Sequence, residues 1–221
     1  MLKIALLGAE STGKTQLAHN LTQALRARGH QVHLVSEYLR SWCDQHSRTP
    51  RVDEQAAIAE TQSTHIAQAA ANTTPNTSYL IADTTALMTA VYSELLFADT
   101  SLYPSALAQQ RNFDATLITG LDLPWVADGL QRDGPQAREP VDACLRSQLS
   151  QANLRYQVVY GRGPARLQNA LHAIDSIAGS AGRTSASGRF SLKETKPWKW
   201  NCEKCSDPEC EHRLFSNLLH R

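Results

Sequence analysis

No apolar run in this chain approaches the ~20 residues that a membrane-spanning helix needs. An excess of one charge is also missing: Lys and Arg total 22 against 21 Asp and Glu, so no general field draws the chain toward nucleic acid or a membrane. The opening MLKIALLG is too short for a signal peptide and reads as a buried first strand, since it runs straight into a glycine-bounded loop. There is no internal repeat. Cysteine is scarce outside the C-terminal end, where Cys202, Cys205 and Cys210 crowd together; only Cys43 and Cys144 lie elsewhere. That distribution argues against a disulfide framework and for a reduced, cytoplasmic protein with a metal site.

What is present is an alternation. Five short apolar runs, KIALLG, VHLVS, YLIAD, ATLITG and RYQVVYG, are separated by segments of helical spacing. The helical spans are read as 16–28, 53–71, 85–97, 105–111, 141–152 and 165–177. Apolar strands alternating with helices predict an α/β three-layer sandwich around a parallel sheet. The spacing divides the chain into a domain over 1–178, a Gly/Ser-rich linker over 179–192 and a small tail over 193–221.

Residues 8–15 read GAESTGKT and satisfy G-x-x-x-x-G-K-[ST] between a predicted strand and a predicted helix. Glycines at 8 and 13 permit the dihedrals that turn successive N–H groups toward one anion, and the helix that follows adds its positive end. Gly8, Glu10, Ser11, Thr12, Gly13, Lys14 and Thr15 are therefore the candidate nucleotide-binding residues of a P-loop NTPase. Lys14 is expected at the β- and γ-phosphates of ATP and Thr15 at Mg²⁺. Asp83 closes the YLIAD strand, where a carboxylate faces the ligand crevice and holds Mg²⁺; it also precedes a helix and fits an N-cap. Glu37 closes VHLVS and is placed to accept a proton from a substrate hydroxyl or to pair with Arg40. After the fourth strand, LPWVADGLQRDGPQAREP carries Arg132 and Arg138 and reads as a basic lid.

GAESTGKT, the SEYLR stretch with Glu37 and Arg40, and PWVADG at 124–129 together resemble the ribosylnicotinamide kinase family, the kinase half of the bifunctional bacterial NAD-salvage regulator. The resemblance covers about 1–177. It implies ATP-dependent phosphorylation of the ribose 5′-hydroxyl of nicotinamide riboside or a related nucleoside. It puts Lys14, Asp83, Glu37 and Arg132 in catalytic roles, and Glu37, Arg40, Asp83, Trp125 and Asp128 at the nucleoside. The adenylyltransferase and DNA-binding parts of that protein are not expected here. Ser36 stands where the family carries an aromatic residue, and Thr85 where it carries a second acid, so the acceptor's identity stays open. The competing reading is a P-loop ATPase module that regulates a partner.

The tail reads WNCEKCSDPECEHRLF. Cys202, Cys205, Cys210 and His212 have the residue types and spacing to wrap one tetrahedral, structural Zn²⁺ in a knuckle-like segment. Trp198, Trp200, Lys196, Lys199 and Arg213 leave protein or nucleic-acid binding by the tail open, although packing of aromatics around a mini-core accounts for them more simply.

Overall fold

Alternate residues of the first strand face opposite ways, and that single fact organises the molecule. Ile4 and Leu6 of β1 (Leu2–Leu7) belong to one apolar cluster, while Ala5 and Leu7 belong to another. All four are fully buried, so the strand is covered on both faces, as a continuous apolar run requires. The computed structural model describes residues 1–73, 77–126 and 135–181.

The elements follow in the order β1, α1 (Lys14–Ala27), β2 (Gln31–Val35), α2 (Tyr38–His46), α3 (Val52–Ala71), β3 (Thr77–Asp83), α4 (Ala86–Phe97), α5 (Tyr103–Gln110), β4 (Ala115–Thr119), α6 (Arg138–Gln151), β5 (Gln157–Val159) and α7 (Gly163–Ala181). A 3-10 turn at Pro135–Ala137 leads into α6. The strands form one parallel sheet of order β2-β3-β1-β4-β5. Leu17, Leu21 and Leu25 of α1 pack with Leu171 and Ile174 of α7 on one face. Leu87, Met88 and Val91 of α4 pack with Leu145 and Leu149 of α6 on the other. This is the expected three-layer α/β sandwich of a P-loop NTPase. Because β1 is flanked by β3 and β4, the chain leaves it on both sides, and a crevice opens beyond the strand tips.

Helix ends show where local chemistry differs from the sequence reading. Thr85, not Asp83, caps α4: its hydroxyl accepts the Leu87 N–H at 3.3 Å. The segment after Glu37, left without an element, is the helix α2. It buries only Trp42 and Cys43, and His46 stacks on Trp42 with ring centroids 4.0 Å apart. Tyr38, Leu39, Trp42 and Cys43 recur at helical spacing, and the face they form packs with Ile58 of α3. At the other end, α7 runs to Ala181, past the expected domain limit at 178. All the described elements belong to one compact unit, Met1–Arg183. The tail at 193–221, with its candidate zinc ligands, lies outside the described residues. So do Asp128 and Arg132.

Candidate functional site

The loop between β1 and α1 is held in shape by glycine and by a pair of threonines. Gly8 has φ +142° and Gly13 has φ +74°, both in the region that side-chain-bearing residues avoid. A Cβ on Gly8 would lie 2.2 Å from Thr119 Oγ1, so the loop must pass β4 as bare backbone. Thr12 Oγ1 donates to the Ala9 carbonyl at 2.7 Å, and the Thr12 and Thr119 hydroxyls lie 2.7 Å apart. Thr119 also reaches the Leu7 carbonyl at 3.2 Å. Two hydroxyl protons serve three contacts, and the two short ones make a chain from Thr119 through Thr12 to Ala9. Lys14 folds its ammonium back onto the Ala9 carbonyl at 2.9 Å. Thr15 is half-buried at the second position of α1.

A guanidinium ties this loop to two others. Arg166, on α7 and 4% exposed, donates to the Thr12 carbonyl at 2.8 Å, to Asp122 Oδ1 at 3.1 Å and to the Gly161 carbonyl at 3.0 Å. Asp122 in turn accepts the Gly161 N–H at 2.7 Å, and its carboxyl is held below the usual range: burial works against this, while the Gly161 N–H and Arg166 outweigh it. The loops after β1, β4 and β5 thus meet at one buried charge. Nothing in the local sequence around Arg166 announces this role, because Asp122 and Thr12 are 44 and 154 residues away.

On the other flank, the acids predicted from the sequence come together. Asp83 ends β3 at 2% exposure, and its Oδ1 has no hydrogen-bond partner among the described residues. Glu37 stands at the N-terminus of α2, with Arg40 Nε 3.9 Å from its Oε2. Burial pushes the Glu37 carboxyl above the usual range; Lys14 opposes this, Asp83 adds to it, and Arg40 and Glu10 act against each other more weakly. Gln62 of α3, not anticipated from the sequence, holds the group together. It accepts the Tyr38 N–H at 2.7 Å and donates to the Thr84 carbonyl at 3.2 Å, so it fixes the residues next to Glu37 and next to Asp83.

Beside Lys14 opens a cleft of ≈ 270 Å³, lined by Glu10, Glu37, Arg40, Leu39, Tyr92 and Phe97 among others. Tyr92 and Phe97 come from α4, far in sequence from the Ser36 position. Trp125 is half-buried after β4 and is not among the described lining residues of this cleft. Its neighbour Val126 is strapped to the phosphate loop. The Val126 N–H donates to Ser11 Oγ at 2.7 Å, and that hydroxyl lies 3.2 Å from the Val126 carbonyl. Arg138, read as a mobile lid arginine, is instead 7% exposed and donates to the Leu123 and Leu121 carbonyls at 2.9 and 3.2 Å. It anchors the segment after β4, because a cation at the start of α6 lies against carbonyls that no strand partner takes.

The residues fit a bound nucleotide and its metal. The phosphate loop is closed to a Cβ at Gly8, and the buried Asp83 Oδ1 without a donor has the chemistry of a hard-cation ligand or of a carboxylate awaiting a water. No group of three or more His, Cys, Asp or Glu side chains poised for a metal occurs among the described residues. No described helix is long and apolar enough to cross a membrane.

Solved structures share this architecture. NadR protein in complex with NAD and AMP-PNP superposes with TM-score 0.63 at 20% identity over 86% of this chain and 51% of that one. NadR protein in complex with NR gives TM-score 0.66 at 19% identity over 86% and 53%. Thymidylate kinase from Ehrlichia chaffeensis gives 0.57 at 15% identity over 80% and 98%. This chain therefore spans about half the length of the NadR structures and nearly all of the thymidylate kinase. At these identities the likeness is one of fold alone. No curated protein matches the sequence. The AAA domain family, however, matches residues 3–166, which is most of the chain and includes the phosphate loop and the acids at the strand tips, and the chain belongs to that family.

Proposed function

We propose that this chain is an ATP-dependent kinase that phosphorylates the ribose 5′-hydroxyl of nicotinamide riboside or a related nucleoside. The observation that carries the reading is the cleft beside Lys14, which puts Glu37 and Arg40 within the same space as the phosphate loop. A switch or motor needs a phosphate loop; it has no need of a ligand-sized, part-aromatic cleft opening onto it. The NadR structure in complex with NR and the thymidylate kinase support an acceptor kinase on this fold.

In this reading the backbone of Gly8–Thr15 cradles the ATP phosphates, and Lys14 exchanges its Ala9 carbonyl for the β- and γ-phosphates. Thr15 and Asp83 would hold Mg²⁺, which would neutralise phosphate charge. The acceptor hydroxyl forms a bond to the γ-phosphorus as the bond to the β-bridging oxygen breaks. Its proton passes to Glu37 or Asp83, and ADP leaves. Arg40, Trp125 and Asp128 are assigned to the acceptor, and Arg132 to catalysis. The cytoplasm, where ATP and reduced thiols coexist, is its location. We assign Cys202, Cys205, Cys210 and His212 to one structural Zn²⁺.

A second reading is a nucleotide-driven ATPase module whose tail binds a protein or nucleic acid; the four-ligand spacing of that tail is what favours it. One assay separates the two. The purified chain is incubated with Mg·ATP and a panel of nucleosides, and products are resolved by chromatography. A nucleoside monophosphate is expected, and Lys14→Ala should lower its formation by at least about 10³-fold, the scale on which a positioned charge acts in phosphoryl transfer. Slow hydrolysis alone, with no phosphorylated nucleoside, favours the second reading.

A further inference from the structure

A phosphate loop exists to bind anions, yet the third residue of this one is a glutamate. A carboxylate aimed at the nucleotide would repel it. Glu10 lines the cleft that also holds Glu37, Arg40, Tyr92 and Phe97, beside Ser11 and Lys14 of its own loop. Its Oε2 is buried and has no hydrogen-bond partner among the described residues. Glu10 also lies close enough to Glu37 to raise that residue's affinity for a proton. Buried acceptor atoms left without donors are costly, so the group is built for something that brings hydrogens to it.

Charge narrows what that something is. Two carboxylates of the lining, Glu10 and Glu37, face two cations. Lys14 is directed to the donor phosphates, and Arg40 already lies 3.9 Å from Glu37. No surplus cation among the described lining residues is left for an acceptor that carries a phosphate of its own.

We propose that Glu10 is a specificity residue of the acceptor side: it accepts a hydrogen bond from a hydroxyl of an unphosphorylated nucleoside, and its charge rejects the corresponding nucleoside monophosphate. One loop then reads the donor through its backbone and the acceptor through its third side chain. This moves Glu10 from the nucleotide-binding set to the acceptor set, and separates the chain's substrate class from that of a nucleotide kinase. The inference rests on the kinase reading of the same cleft.

The experiment measures steady-state kinetics of the full chain with Mg·ATP and nicotinamide riboside, adenosine, cytidine and uridine, each beside its own 5′-monophosphate. Equilibrium binding of AMP-PNP is measured in parallel. Wild type is expected to phosphorylate at least one nucleoside and none of the monophosphates. Glu10→Ala should raise the nucleoside KM by about tenfold or more, the loss of one charge-assisted hydrogen bond. Glu10→Gln, which keeps an acceptor oxygen but no charge, should recover part of that KM and admit the monophosphate as substrate or competitive inhibitor. AMP-PNP affinity reports the fold and the donor side, and should change by less than about threefold in both variants. The inference is overturned if the variants weaken AMP-PNP binding while the nucleoside KM holds, because Glu10 then serves the donor. It is also overturned if Glu10→Gln still excludes every monophosphate. If wild type binds AMP-PNP normally yet phosphorylates no nucleoside, the kinase reading itself falls, a result distinguishable from the other two.

Discussion

At the residue scale, Glu37 shows how one carboxylate is set up for chemistry at the expense of stability. Burial first, and then the neighbouring acids, raise its affinity for a proton, against the pull of Lys14 and Arg40. If the ionised form takes the acceptor's proton, kcat/KM must fall as pH drops through this raised value, above the ordinary carboxylate range. Glu37→Gln is expected to lose about 10²–10⁴ in rate and the acidic limb with it. Linkage gives the second half. A carboxyl whose pKa is raised by folding binds its proton more tightly when folded, so stability falls as pH rises from the unfolded value through the folded one. Above that window the variant should therefore melt at a higher temperature than wild type while being far less active. A pH–rate profile and a melting series at pH 4–8 check both halves; an acidic limb that survives in Glu37→Gln would assign the proton to Asp83.

Among elements, the decisive contacts are those that lock one loop to another. Arg166 joins the loops after β1, β4 and β5 through Thr12, Asp122 and Gly161. Removing it leaves a part-exposed carboxylate and two carbonyls short of a donor, so Arg166→Gln should cost about 1–3 kcal/mol of stability. A purely structural loss would reduce the active fraction and leave KM unchanged. Loosening the phosphate loop should instead raise the ATP KM severalfold with the acceptor KM held, and Arg166→Lys should restore part of it. Equal KM values for ATP in wild type and Arg166→Gln would reduce Arg166 to a structural clamp. The same scale explains what the sequence reading misplaced. Arg138 looked mobile because its neighbours are glycine, proline and charge, but the carbonyls of Leu121 and Leu123 immobilise it. α2 is only nine residues long, and its apolar face, Leu39, Trp42 and Cys43, is completed by Ile58 of α3, a partner distant in sequence.

For the whole molecule, the unit Met1–Arg183 holds the described five-stranded sheet and the apolar clusters on its two faces. The zinc assignment concerns only the tail. Purified full chain is expected to carry one Zn²⁺ per chain, lost in Cys205→Ser, with the melting transition of the first unit moved by less than about 2 °C. Metal analysis and calorimetry on both proteins test it; a zinc-free wild type with unchanged properties removes the metal from the tail.

The phosphate loop, the five strands, their parallel pairing and the acids at the strand tips were legible in the residues alone, because each is a local pattern: glycine at defined spacing, apolar runs of strand length, a carboxylate where a run ends. What only the tertiary structure decided is everything made across distance. Gln62 clasps the backbone beside Glu37 and Asp83, Thr119 completes the floor of the phosphate loop, and Tyr92 and Phe97 supply aromatic surface in a cleft for which residue 36 supplies none. Local sequence encodes backbone conformation and burial; the partners of a buried polar group are chosen by topology, and no spacing along the chain reveals them.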